Sequence, residues 1–190
     1  MSICVNHVWK SFNGEQVLTD VSFTAPDSAV TCVMAPSGSG KTTLLRLLLG
    51  LEAPDKGSVE APENCRWSAV FQEDRLLEQL DAEGNLRFVL GEAYDRAEAA
   101  ELLEEVGLSD VDGKRVREYS GGMKRRLALA RALLVESDAL VLDEPFTGLD
   151  RENRERCLAA IRKHMAGRPV LLVTHEETDA EGLEAQIIRL

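Results

Sequence analysis

No apolar run in this sequence approaches the ~20 residues a helix needs to cross a bilayer. Any transmembrane pathway it serves is therefore expected on another chain. The N-terminus, MSICVNHVWKSF, has no basic segment followed by an apolar core, so it does not read as a signal peptide. Cysteine is sparse. Cys4, Cys32, Cys65 and Cys157 form no CxxC pair and no Cys/His cluster with zinc spacing, which argues against a zinc module. Scattered thiols in a reducing compartment fit best. Positive charge is short as well: 22 Lys and Arg against 33 Asp and Glu leave a net charge of −11. Such a chain repels phosphate backbones, so no nucleic acid partner is expected. Repeats, low-complexity tracts and long linkers are absent.

What is present is ordinary for a globular chain: 44% hydrophobic and 29% charged residues over 190 positions. That length suits one domain, or one domain carrying a small subdomain. Residues 3–9 and 17–24 read as strands about a turn at Asn13-Gly14. A buried strand is expected over 29–34, then a loop of small residues, then a helix over 41–49 ending at Gly50. Residues 67–71 read as a short strand leading to Gln72. From 76 to 108 the pattern is helical, with an amphipathic stretch over 96–106. After a loop at 109–113, a second helix spans 122–135. Strand 139–142, helix 151–165, strand 170–173, a short acidic turn or helix and a last strand at 187–188 complete the chain. Alternating strands and helices predict a mostly parallel α/β core, interrupted by a helical insertion over about 76–135.

The loop after the third strand carries chemistry. Residues 35–42 read APSGSGKT, against the phosphate-loop pattern G-x-x-x-x-G-K-[ST]. Ser37, Gly38, Ser39 and Gly40 let the backbone curl so that N–H groups face phosphate oxygens. The following helix adds the positive end of its dipole. Lys41 reaches the β- and γ-phosphates as a point charge, and the Thr42 hydroxyl suits Mg²⁺. Thr43 is placed for the α-phosphate. Ala35 departs from the pattern and fits only if its φ is negative. The predicted fold class is α/β: a P-loop NTPase core with a mostly parallel sheet, an N-terminal antiparallel β subdomain and an inserted α-helical subdomain.

Residues 139–145 read ALVLDEP, an apolar strand ending in two carboxylates. Successive strand side chains point to opposite sides, so Asp143 and Glu144 can do different work. Asp143 suits Mg²⁺, and Glu144 suits a general base that polarises water. Taken alone, an acid capping a helix accounts for the pair equally well. In open α/β sheets ligands bind beyond the carboxyl ends of the strands. Four strands here lead to such candidates: the small-residue loop, Gln72, Asp143-Glu144 and Thr174-His175.

SGGMKRR at 120–126, lying between the helical insertion and ALVLDEP, makes the set resemble the ABC ATPases. SGG resembles the family's signature motif, with Tyr119 in place of its usual Leu. Phe71-Gln72-Glu73 resembles the Q-loop, Thr147-Gly148-Leu149-Asp150 the D-loop, and Thr174-His175-Glu176 the switch-histidine segment. Phe12 resembles the adenine-stacking aromatic, though a core position would suit it too. Six motifs in family order span most of the chain. Within the family, SGGMKRRLALARALL and VFQEDRLL look most like importer subunits of the nitrate, sulfonate and taurine type. The compact interval from Lys41 to Gln72 departs from many importer subunits and suggests a trimmed β-rich subdomain.

The resemblance implies an ATP-binding and ATP-hydrolysing subunit on the inner face of the cell membrane, in the cytoplasm, powering a separate integral-membrane partner. It implies a head-to-tail homodimer, or a pairing with a related ATPase subunit, with two ATP molecules sandwiched. Ser120, Gly121 and Gly122 would touch the partner's γ-phosphate, and Asp150 would act across the interface. Gln72 would sense Mg²⁺ and the attacking water. His175 would contact the γ-phosphate. Blander readings stand beside these: Lys124, Arg125 and Arg126 as a solvated helix face, and the acidic stretch 176–184 as solvated. His7 and His164 receive no role. Competing functions are a soluble ABC ATPase outside transport, a small-molecule P-loop kinase and a nucleotide-binding module without turnover. The kinase accounts for APSGSGKT but not for SGG, Gln72 and His175 together. Glu144 and His175 argue against the module.

Overall fold

A computed structural model describes residues 2–36, 38–109, 111, 113–165 and 167–190. Two strands open the chain, β1 (Ile3–Phe12) and β2 (Glu15–Ala25). They pair antiparallel, with Phe12 opposite Glu15, which leaves Asn13 and Gly14 as a two-residue turn. Both have positive φ, 50° and 83°, as a type I′ hairpin turn requires. The sequence reading missed β4 (Lys56–Glu60), which pairs antiparallel with the other side of β1. Its five residues, KGSVE, carry one strongly apolar side chain, too few to show alternation. The antiparallel sheet is therefore three-stranded, in the order β2-β1-β4.

The second sheet is built from apolar runs. The strands β3 (Val30–Met34), β6 (Ala139–Asp143) and β7 (Val170–Thr174) are buried at every position, as strands covered on both faces are. With β5 (Trp67–Val70) and β8 (Gln186–Arg189) they form a five-stranded sheet in the order β5-β6-β7-β3-β8. β3 runs parallel to both neighbours: Met34 lies opposite Thr174 on one side and Arg189 on the other. The carboxyl ends of β3, β7 and β8 therefore open at one edge of the sheet.

By compactness the chain divides into two units. The first comprises Met1–Trp67, Ser137–Leu142 and Ala166–Leu190. It holds helix α1 (Lys41–Leu48), which buries Leu44, Leu45, Leu47 and Leu48, and the short α6 (Glu177–Gly182). Asp138, just before β6, accepts from the Arg66 amide at 2.8 Å and from two nitrogens of its guanidinium at 3.2 Å each. Those bonds, the guanidinium first, hold the Asp138 carboxyl below its ordinary range.

The second unit comprises Ser68–Glu136 and Asp143–Met165. It contains α2 (Ala82–Leu90), α3 (Arg96–Glu105), α4 (Gly121–Leu134) and α5 (Arg151–His164). The helical pattern read from residue 76 starts late, at Ala82. Asp81 caps α2 by accepting from the Gly84 amide at 2.7 Å. Buried Asn85 accepts from the Leu77 amide and donates to the Leu77 and Asp81 carbonyls, so 77–81 is held as a turn. Gly91, at φ 56°, ends α2, and Asp95 caps α3. Lys163 and His164 of α5 bond Glu105 of α3, which gives His164 a structural partner.

One expectation about charge fails, and a second, that the stretch 176–184 is solvated, holds at Glu176, Glu177, Glu181 and Glu184 but not at Asp179. Arg125 and Arg126 are not a solvated face: they are 6% and 8% exposed. Asp179, in the acidic stretch 176–184, is buried and accepts from the Thr174 hydroxyl at 2.6 Å. All three side chains find partners that composition cannot reveal. Cys32 and Cys157 are buried, Cys4 and Cys65 half-buried, and all four are free thiols.

Candidate functional site

In the first unit, β3 feeds the small-residue loop. Ala35 is buried and lacks a positive φ, so a methyl group is tolerated where the pattern has glycine. Ser39 closes the loop: its amide and its hydroxyl both donate to the Pro36 carbonyl, at 3.3 and 2.7 Å. Gly38 and Gly40 take positive φ, 84° and 91°. A Cβ at Gly40 would lie 2.8 Å from Leu18 Cδ2 and 3.0 Å from the Val17 carbonyl, so glycine is required twice over. Ser37 lies outside the described residues.

Gly40 is the N-cap of α1, and no side chain caps that end. Lys41, Thr42 and Thr43 form the first turn, whose amides have no intrahelical acceptor. Lys41 Nζ donates to the Ala35 carbonyl at 2.9 Å, which holds the ammonium over the loop. Strand, curled loop and uncapped helix start form a concave, electropositive cradle suited to a polyphosphate.

His175 leaves the neighbouring strand at the same edge, one residue beyond the Met34–Thr174 register pair. Thr174 sets the turn there: its hydroxyl donates to Asp179 and accepts from the Glu176 amide at 3.1 Å. His175 is exposed, with Nε2 3.3 Å from Glu176 Oε1. Met34, Ala35, Pro36, His175, Arg189 and Leu190 line one pocket of about 310 Å³. The first unit thus brings His175 together with the start of the loop. Phe12 is 37% exposed, so the core alternative falls; Lys10 Nζ lies 5.2 Å from its ring centroid.

The second unit carries the remaining candidates. Asp143 closes β6 and is buried. Glu144 follows with φ 48°, a conformation that costs a non-glycine residue energy and redirects the chain directly after the strand. Asp150 caps α5, accepting from the Asn153 amide at 2.9 Å, and that bond holds its carboxyl below the ordinary range. Ser120 caps α4 in the same way, accepting from the Met123 amide at 3.2 Å; a hydroxyl that accepts can still donate. Tyr119, beside it, is buried rather than presented to a ligand. A Cβ on Gly121 would meet nothing within 4 Å, whereas one on Gly122 would lie 3.2 Å from the Gly148 carbonyl. Gln72 is exposed on the loop after β5. Sequence reasoning missed what holds that loop: Arg125 donates to the Phe71 and Gln72 carbonyls.

No group of three or more His, Cys, Asp or Glu that could hold a metal occurs among the described residues. A hydroxyl at Thr42, a carboxylate at Asp143 and an amide oxygen at Gln72 are hard donors. Hard oxygen donors of this kind are what Mg²⁺ takes, usually one or two carboxylates with water and substrate phosphates.

A parallel sheet whose aligned strand ends open into a curled Gly-Lys-Thr loop and a helix N-terminus defines a P-loop nucleotide-binding protein. A family profile described as "ABC transporter" matches residues 18–147. The aliphatic sulfonates import ATP-binding protein SsuB 2 of Pseudomonas syringae pv. tomato is 38% identical over 94% of this chain and 78% of its own length. The taurine import ATP-binding protein TauB of Pseudomonas fluorescens is 37% identical over 93% of this chain and 72% of its own. A solved ATP-binding subunit of an ABC transporter superposes with a TM-score of 0.86 at 24% identity, covering all of this chain and 86% of that one. The chain belongs to the ABC transporter family, as one of its ATP-binding, ATP-hydrolysing subunits. No helix among the described residues is long and apolar enough to cross a membrane.

Proposed function

We propose that this chain converts ATP binding and hydrolysis into solute uptake through a separate integral-membrane partner. The observation that carries the reading is the register of β3 and β7, from which the phosphate loop and His175 leave the sheet at one edge. Similarity to import ATP-binding proteins supports the direction of transport. The same similarity supports a peripheral place on the cytoplasmic face.

The roles follow from chemistry. Amides of Gly38, Gly40, Lys41, Thr42 and Thr43 cradle the phosphates, with Ser37 expected beside them and Ser39 holding the loop closed on the Pro36 carbonyl. Lys41 neutralises the β- and γ-phosphates. Phe12 stacks on the adenine. Thr42, Asp143 and Gln72 would hold Mg²⁺, which would neutralise charge developing on the phosphates. Glu144 polarises the attacking water as general base, Gln72 helps to orient it, and His175 donates to the γ-phosphate. In the ATP-bound state a second copy, or a related ATPase subunit, supplies Ser120, Gly121 and Gly122 to the γ-phosphate, with Asp150 at the interface. The 190 residues then act as a single ATPase domain carrying the helical stretch 76–135 as its insert.

Purification of a tagged chain from its native membranes in mild detergent tests the transport reading. An integral-membrane protein in stoichiometric amount is expected. A chain that purifies with soluble proteins alone would instead favour an ABC ATPase acting outside transport.

A further inference from the structure

The loop carrying Gln72 is suspended from two arginines of one helix. Arg125 Nη1 donates to the Phe71 carbonyl and Nη2 to the Gln72 carbonyl, each at 2.6 Å. Arg131, further along α4, donates to the Asp74 carbonyl at 2.9 Å and the Arg75 carbonyl at 2.8 Å. The Arg75 guanidinium lies over the Phe71 ring, 4.0 Å from its centroid. Asp74 Oδ1 stands 3.1 Å from Arg125 Nη1, an ion pair rather than an aligned hydrogen bond.

In an extended strand successive carbonyls point to opposite sides. Two successive carbonyls held by one planar fork therefore require the backbone to leave the strand conformation at Phe71-Gln72. This is where β5 ends and the Gln72 side chain becomes exposed. Arginine alone has the fork geometry; lysine offers a single point of donation. Burying a guanidinium is costly unless it finds acceptors, and here two of the loop's carbonyls accept from its two terminal nitrogens. The helix that makes this clamp begins at Ser120, the residue capping its N-terminus.

We propose that Arg125 is a positioning residue: its grip on the Phe71 and Gln72 carbonyls fixes the direction of the Gln72 side chain relative to the helix that starts at Ser120, and hydrolysis depends on that direction. The role rests on the proposed function of Gln72. Arg125 acts through the Gln72 loop, whose carbonyls it holds.

A double-mutant cycle on the full chain tests it, with steady-state kcat and KM for ATP measured for the parent, Gln72→Ala, Arg125→Lys and the double variant. Misplacement of a reacting group is expected to lower kcat for Arg125→Lys by roughly ten- to a hundredfold. KM for ATP is expected to change by less than about threefold, because the phosphate loop is untouched. The double variant should be no slower than Gln72→Ala alone, since both changes act through one group. Amide exchange over 71–75 should quicken in Arg125→Lys while the core strands stay protected. If Gln72→Ala leaves kcat unchanged, the reading of Gln72 fails and the positioning role falls with it. If Gln72→Ala slows turnover but Arg125→Lys does not, or the two losses multiply, the positioning role alone is overturned. Should Arg125→Lys not fold, Asp74→Asn removes the counter-charge and keeps the shape; the same non-additivity with Gln72→Ala supports the role, and multiplied losses or an unchanged kcat overturn it.

Discussion

The two units fix their nucleotide-facing candidates by different means. In the first unit the backbone does the work. Parallel register sets the strand ends, positive φ at Gly38 and Gly40 curls the loop, and α1 begins without a side-chain cap. In the second unit buried side chains do it. Arg125 holds the Gln72 loop, and Arg126 donates to the Gly122, Val106 and Gly107 carbonyls, tying the start of α4 to the end of α3. A backbone device tolerates few residue types, so it leaves a spaced pattern in the sequence. A guanidinium clamp leaves only an arginine, which on a helix looks the same whether solvated or buried.

Substitutions in each unit can break this contrast. Arg126→Met strands the Val106 and Gly107 carbonyls that the guanidinium now serves, and should cost roughly 3–5 kcal/mol in chemical denaturation. It should leave the ATP affinity of the folded chain near the parent's. Little loss of stability would mean that α3 and α4 do not depend on the clamp. Gly40→Ala meets strain and collision together, and should destabilise by roughly 1–3 kcal/mol. Unlike the arginine change it should also weaken ATP binding, read by titration with a fluorescent nucleotide. Unaltered affinity would show that the curl at Gly40 is not what holds phosphate.

The smallest effect is expected at Asp138. Its folded pKa lies below the unfolded value, so its bonds to Arg66 add stability above the unfolded carboxylate range. That contribution is lost as pH falls through the folded pKa. Asp138→Asn should therefore be slightly less stable than the parent near neutrality and converge with it in acid. A gap that persists or widens in acid would remove the ion pair as its cause. The effect is small because solvent screens the pair.

Legibility separates backbone devices from long-range pairing and side-chain contacts, in either unit. The hairpin turn, the phosphate loop and the apolar strands could be read because glycine, lysine and buried aliphatics are demanded there. Ala35 proves compatible because its φ is not positive, a fact no residue name carries. β4 could not be read: Val59 is its one strongly apolar side chain, and its pairing with β1 is a long-range choice. The late start of α2 rests on Asn85 reaching back to Leu77, and the turn that carries His175 on Thr174 meeting Asp179. Each is a polar contact between residues whose types also suit a solvated surface.

Glu144, the residue turned out of β6 at positive φ, is proposed as the base for ATP hydrolysis by this chain. Glu144→Gln keeps the shape and removes the base. Turnover of ATP with Mg²⁺ should fall by about a hundredfold or more. ATP should still bind, and the protein should accumulate as an ATP-bound dimer by light scattering. Unchanged turnover in a folded Glu144→Gln protein would contradict the account.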